Sequence, residues 1–189
     1  PTNLVMLTQT VVEGLQPLSS SLIEVRPLGG YGAVDVDARR IRRIVSNLVG
    51  NAIEHGEGKP IVVTIDSNAS AIAIAVRDWG VGLRPEDVDR VFDRFWRADP
   101  SRKRTLGGTG LGLAIAREDA AVHGGLLEAW SRLGEGSQFR LTLPRGDQIA
   151  AFVSPIPLVP DDVTPDEGDP EATGGWLRRP WRNVTRGKK

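Results

Sequence analysis

The sequence predicts an α+β fold, one mixed and mostly antiparallel sheet with helices on one face. Three observations carry that expectation. The stretch "DARRIRRIVSNLVGNAIEH" has the apolar spacing of a long helix, "PIVVTIDS" and "AIAIAVRD" are adjacent β-branched segments, and "LLEAWSR" and "SQFRLTLP" flank "LGEG" as a closing hairpin. Helix and strand are mixed along the chain with adjacent antiparallel strands, the pattern of a sheet covered by helices on one side.

Taken in order, Leu4 to Leu18 is moderately apolar and mostly free of breakers until Pro17, and is expected to be a helix. "LIEVRP" and "GAVDVD" alternate around a glycine turn and read as a hairpin or strand pair. Asp37 is the expected N-cap of the long helix, whose Ile41, Ile44, Val45, Leu48, Val49, Ala52 and Ile53 recur at i, i+3, i+4, i+7 spacing. Gly56 ends it. The two β-branched segments are separated by a polar turn at Asn68. Trp79 to Gly110 is glycine-rich and basic, with a short helical piece "RPEDVDRVFDRFWR" inside it. "TGLGLAIAREDAAVH" is the next helix, closed by Gly124 and Gly125.

After Pro144 the composition changes. "SPIPLVPDDVTPDEGDPEATGG" is rich in Pro, Asp, Glu and Gly, so residues 146–189 are expected to be a disordered tail following a domain at 1–145. Within it, "SPIPLVP" has enough apolar residues to pack on the domain or bind a partner. The basic end "WLRRPWR" suits a membrane surface, nucleic acid or simply solvent.

Composition narrows the function classes. With 24 Lys plus Arg against 24 Asp plus Glu in 189 residues, net charge gives no reason to expect nucleic acid as a partner. The absence of cysteine excludes disulfides and thiolate metal sites. No apolar run is long enough to span a bilayer, which needs roughly 20 residues. The start "PTNLVMLTQT" lacks an initiator Met and a basic n-region, and reads as a piece of a longer chain.

Four constellations carry possible chemistry. Asn47, Asn51, Glu54 and His55 share the polar face of the long helix. Two mid-helix asparagines are poor helix formers, so they read either as an incidental solvated face or as hard amide ligands for Mg²⁺. In "RDWGVG", Asp78 with Gly80 and Gly82 reads as an Asx turn or as a carboxylate at a pocket floor, an acceptor for the exocyclic amine of adenine. Guanine would place a carbonyl there. "GGTGLGLA" lacks the Lys-Ser/Thr ending of a Walker A loop and follows no strand, yet its glycines lead into a helix N-terminus, where free amides favour a phosphate chain. Finally, Val91, Phe92, Phe95 and Trp96 stand at helical spacing, as core or as anchors of a mobile segment.

In this order the motifs resemble the catalytic ATP-binding domain of sensor histidine kinases, over roughly residues 3 to 145. "NLVGNAIEH" resembles the N box, "DWGVG" and "GGTGLGLAIA" the two glycine boxes, "FDRFWR" the F box and "GEGSQFRLTLP" the closing hairpin. "AREDAAVHGG" is most similar to an actinobacterial subgroup. The resemblance implies a two-layer α/β sandwich of the Bergerat (GHKL) type. It implies ATP and Mg²⁺ as cofactors, with Asn51 on the metal, Asn47 supporting metal or phosphates, and Asp78 on the adenine amine. Gly80 and Gly82 would shape the base pocket, and Gly108, Thr109, Gly110, Leu111 and Gly112 would meet the phosphates. Glu54 and His55 complete the N-box face. Residues 83 to 108 would form the lid, with Arg97, Arg102, Lys103 and Arg104 as candidates for the γ-phosphate.

ATP hydrolases of that superfamily carry a Glu where this chain has Asn47, and an amide has no useful basicity for activating water. Transfer is therefore favoured over hydrolysis. Neither His55 nor His123 sits in an acceptor-type context, so the phosphoacceptor is expected on a dimerisation domain outside this chain. The resemblance further implies a homodimeric, membrane-anchored parent with this part in the cytoplasm, and a response regulator as partner in two-component signalling. The alternatives are a degenerate ATP-binding interaction module and an anti-sigma-type serine kinase of the same fold.

Overall fold

Asn3 opens the first helix, its side chain accepting the Met6 amide at 3.1 Å, and in the computed structural model α1 runs Leu4–Leu15. Residues 1–29, 33–98, 110–146 and 152–164 are described. Pro17 ends the regular helix early, leaving a 3₁₀ turn at Gln16–Leu18. The long helix α2 spans Ala38–His55, capped by Asp37, whose carboxylate accepts the amides of Arg39 and Arg40. Its predicted stripe is the centre of the core, with Ile41, Ile44, Val45, Leu48 and Val49 all inaccessible to solvent. Each such side chain stabilises the fold by about 1.5–3 kcal/mol.

The strands β1 (Ile23–Pro27), β2 (Ile61–Ser67), β3 (Ala71–Asp78), β4 (Leu126–Arg132) and β5 (Gly136–Pro144) form one five-stranded sheet in the order β1-β2-β3-β5-β4. Here the expected hairpin of "LIEVRP" with "GAVDVD" is corrected. β1 pairs in parallel with β2, Ile23 opposite Ile61, and among the described residues of the second segment only Val34 bridges, to Thr2. The chain must leave the sheet after Pro27 to reach the start of α2, so a local hairpin cannot form. The other pairings are antiparallel. Asn68 makes the β2–β3 turn as expected, its Oδ1 accepting the amides of Ser70 and Ala71.

Only the first part of "RPEDVDRVFDRFWR" is helical, as α3 (Pro85–Val88) and a 3₁₀ turn at Asp89–Phe92. Phe95 instead takes a left-handed φ of 64° and is 69% exposed, so it is not a buried anchor. Val91 is buried, and Phe92 and Trp96 pack against the core. The last helix, α4, spans Gly112–Val122, and Gly124 supplies the positive φ that turns the chain toward β4.

The three long helices share one core with the sheet: α2 lies against β3, α4 against β4 and β5, and α1 against α2 and β1, around Ile72, Ile74 and Val76 of β3 and Phe139, Leu141 and Leu143 of β5. α2 and α4 are tied by Asp119, whose buried carboxylate takes Arg40 at 2.8 Å and both Nε and Nη2 of Arg43 at 2.7 Å. These partners, Arg43 foremost, hold the Asp119 carboxyl below the usual carboxylate range. His123 at the end of α4 receives the Asp37 amide on Nε2 and bonds the Asp119 carbonyl through Nδ1, so its ring serves as a joint between helices.

The expectation of disorder after residue 146 does not hold for residues 152–164. Phe152, Ile156 and Pro160 are buried, with Ile156 clustered on Ala73 and Ala75 of the other sheet face. Composition counted the acidic and proline residues of this segment, but the strand alanines beneath it leave room for exactly such a thin cover.

Candidate functional site

Between α2, the α3 region and the start of α4 lies a cavity of about 890 Å³, within the range that takes small-molecule ligands. The α2 polar face forms one wall, and Asn47, Asn51, Glu54 and His55 all line it. The helix phase explains this: the stripe at Ile44, Leu48 and Ala52 is buried in the core, so the residues between turn toward the opening. Asn47 is anchored by its Nδ2, which donates to the Gly112 carbonyl at 2.9 Å.

The N-terminus of α4 forms the second wall through Gly110, Leu111 and Gly112. The N-cap residue Leu111 supplies no side-chain cap, and none comes from the other described residues, so the first amides of the helix suit an anion in the cavity. Gly110 has φ +78°, and a Cβ on Gly112 would stand 3.0 Å from Asn47 Oδ1. The apolar wall comes from Val81, Leu83, Val91, Trp96 and Phe139, with Phe92 set edge-on to Phe139 at 6.2 Å. Arg97 also lines the cavity, as do Arg43 and Arg84, which the motifs did not suggest.

Asp78 sits at the end of β3, opposite Ser137 of β5, and Ser137 is part of the cavity wall. The carboxylate is 1% exposed. Its Oδ1 accepts the Gly80 amide at 2.9 Å, while Oδ2 is buried with no hydrogen-bond partner among the described residues. Burial pushes this carboxyl up to about 6, against the opposing pull of the Gly80 amide, the Arg77 charge, the nearby Ser137 amide and the Lys59 charge. A buried acceptor left unpaired costs stability and is uncommon unless a ligand completes it.

The glycines near Asp78 have a reason inside the chain. A Cβ on Gly80 would meet the His55 carbonyl at 1.8 Å, and one on Gly82 the Arg132 carbonyl at 2.0 Å. Close approach of α2 and the β4–β5 turn therefore requires them, and Gly82 also lines the cavity. Arg102, Lys103, Arg104, Gly108 and Thr109 lie outside the described residues. Val91 and Trp96, singled out in the sequence for their helical spacing, join the apolar wall, whereas Ser137, Leu83 and Phe139 were missed because they come from positions that look like ordinary strand and loop.

Residues 36–147 match the family described as histidine kinase-, DNA gyrase B-, and HSP90-like ATPase. The chain belongs to this family. Among curated relatives, sensor histidine kinase MtrB of Mycolicibacterium paratuberculosis is 52% identical over 143 residues, 74% of this chain and 25% of that protein. MtrB of Mycobacterium tuberculosis (strain ATCC 25618 / H37Rv) is 55% identical over 128 residues, 67% of this chain and 22% of that protein. The chain thus spans about a quarter of the length of these relatives. Among solved structures, full-length ShkA in complex with AMPPNP superposes with a TM-score of 0.69 at 27% identity, over 77% of this chain and 30% of that one. The five-stranded sheet with its helices on one face is the fold of this ATPase family.

Among the described residues no helix is long and apolar enough to cross a membrane, and no cluster of three or more His, Cys, Asp or Glu could hold a metal ion.

Proposed function

We propose that this chain is the ATP-binding catalytic part of a sensor histidine kinase, which presents the γ-phosphoryl group to a histidine on a separate dimerisation domain. The observation that carries the reading is Asp78: a buried carboxylate whose Oδ2 has no hydrogen-bond partner among the described residues, set behind the cavity wall at Ser137, with the N-terminus of α4 on another wall of the same cavity. Adenine's amine would complete Oδ2, the apolar wall would take the ring, and the α4 amides would take the phosphates.

Mg²⁺ fits the residues present. A neutral amide from Asn51, with water and phosphate oxygens, is the kind of oxygen set Mg²⁺ accepts, and a carboxylate cage is not needed. Bound there, the ion would neutralise phosphate charge. Asn47, fixed on Gly112, would hold that wall in place, and of the four basic residues expected to reach the γ-phosphate Arg97 is the one among the described residues.

The chain's own histidines do not suit the acceptor role. His123 has both ring nitrogens engaged, and His55 ends α2 in the cavity wall. Asn47, an amide, cannot serve as a base for water, so ATP is held for transfer. The cytoplasmic side of a membrane-anchored homodimer, with a response regulator downstream, is the setting the MtrB likeness supports.

Calorimetric titration tests this with ATP, with and without Mg²⁺, and with GTP as the control. The expected result is ATP-selective binding strengthened by Mg²⁺ and weakened about 10- to 100-fold in Asp78→Asn, which turns the acceptor into a donor facing the base amine. Absence of ATP binding by the unmodified chain overturns the reading.

A further inference from the structure

Alternation along β3 sends Asp78 toward the helices and its neighbour Arg77 to the outer face. Arg77 is only 5% exposed there, so its donors need partners. Nη1 donates to the Asp78 carbonyl at 2.6 Å and, longer, to the Ser137 carbonyl at 3.4 Å. Nη2 donates to the Glu135 carbonyl at 2.9 Å and to Asp162 Oδ2 at 3.0 Å, and Nε reaches Asp162 Oδ1 at 3.3 Å. The rings of Trp79 and Trp130 lie 4.7 and 5.1 Å from the guanidinium carbon. Asp162 also accepts the Trp79 indole at 2.7 Å.

The Asp78 carbonyl is confined from a second direction, since a Cβ on Gly136 would come within 2.1 Å of it. The backbone that aims Asp78 is thus clamped between the β4–β5 turn and Arg77, and Arg77 is held by a carboxylate from the C-terminal segment. Other ties of that segment go elsewhere on the sheet: Gln138 to the carbonyls of Pro157 and Leu158, Arg140 to the Ile156 carbonyl, and Thr142 to Ser154 Oγ at 3.0 Å.

We propose that Asp162 is a positioning residue for the nucleotide pocket: through Arg77 it fixes the end of β3 and the Glu135–Ser137 turn, and so the direction in which Asp78 and Ser137 face the base. The C-terminal segment is then a working part of the ATP site, reaching it from the opposite side of the sheet. The inference rests on Asp78 being the adenine acceptor.

The test is ATP and GTP titration of the whole chain, with a thermal melt of each variant. Asp162→Asn, which keeps the size but loses the charge on Arg77, is expected to weaken ATP binding about tenfold and to narrow the preference for ATP over GTP. Asp162→Glu restores much of both. Ser154→Ala loosens the same segment far from Arg77 and is expected to lower Tm while leaving ATP affinity unchanged. If Asp162→Asn lowers Tm as Ser154→Ala does but binds ATP and GTP like the unmodified chain, the segment is only a cover and the inference is overturned. If the unmodified chain binds no ATP, the kinase reading falls and the inference with it.

Discussion

On the inner face of the sheet Ile72, Ile74 and Val76 meet α2 in a continuous apolar core, while on the outer face the residues between them, Ala73, Ala75 and Arg77, meet a proline-rich segment. Both faces of β3 are buried along its whole length. The inner contact is broad and rests on side-chain burial. The outer one is thin and rests largely on guanidinium and amide groups bonding the carbonyls of a segment with no regular structure. A sheet can therefore be closed by a helical layer that makes the core and by a strap that arranges what the core presents.

The sharpest way to break that comparison is Ile74→Ala. This side chain is 1% exposed in the helix-facing layer, and its removal leaves a cavity that close-packed neighbours fill poorly. The expected cost is about 2–5 kcal/mol, read from denaturant unfolding. A cost below that of an outer-face substitution would mean that the helical layer is not the main source of stability.

Asp78 separates stability from function at the boundary of the two faces. Its carboxyl is raised from an ordinary value of 3.8 to about 6, so the folded, ligand-free chain binds this proton more tightly than the unfolded chain. Its contribution therefore favours the fold at low pH and is lost as pH rises through that window. Asp78→Asn removes the buried charge, and is expected to raise ligand-free stability by roughly 1–2 kcal/mol, less than the full penalty because the new amide donors lack partners. Binding has the opposite sign. The ionised carboxylate is the stronger acceptor for the amine of adenine, so ATP affinity is expected to fall, by at most about tenfold per unit, as pH drops below about 6. Titrations from pH 8 to pH 5 with Asp78→Asn as reference check this; parallel profiles for the two chains would assign the titration to another group.

The inner face was legible in the sequence because it follows from periodicity. The stripe from Ile41 to Ala52, the Asp37 cap and the Asn68 turn all stand where residue type and spacing put them. So do Asn47, Asn51, Glu54 and His55, since helical phase alone turns them away from the core and into the cavity. Partners distant in the chain were not legible. β1 takes β2 across the whole of α2, which no local pattern encodes. Ser137 reaches the site only because β5 pairs with β3. The disorder expected after residue 146 weighed charge and proline against a missing core, yet residues 152–164 borrow one from the sheet. A signal existed in "AIAIAV", where the outward positions hold alanine rather than polar residues, as a surface about to be covered would.

Ile156 measures how far that borrowed core belongs to the fold. It is 7% exposed and rests on Ala73 and Ala75, small partners that offer few contacts, and its segment is free to settle when the side chain is shortened. Ile156→Ala is therefore expected to cost about 1 kcal/mol, below the usual range for a buried isoleucine. The same denaturant unfolding reads it, alongside hydrogen exchange at residues 152–164. Faster exchange there with the global transition nearly unmoved would describe a strap that opens by itself while the helical core stays closed. A loss as large as that of Ile74→Ala, with both faces unfolding together, would make the strap part of the core, and the contrast between the two faces would disappear. Intermediate coupling is the expected result, because Arg77 is bonded both to the strap through Asp162 and to the β3 backbone that carries Asp78, so opening one must strain the other.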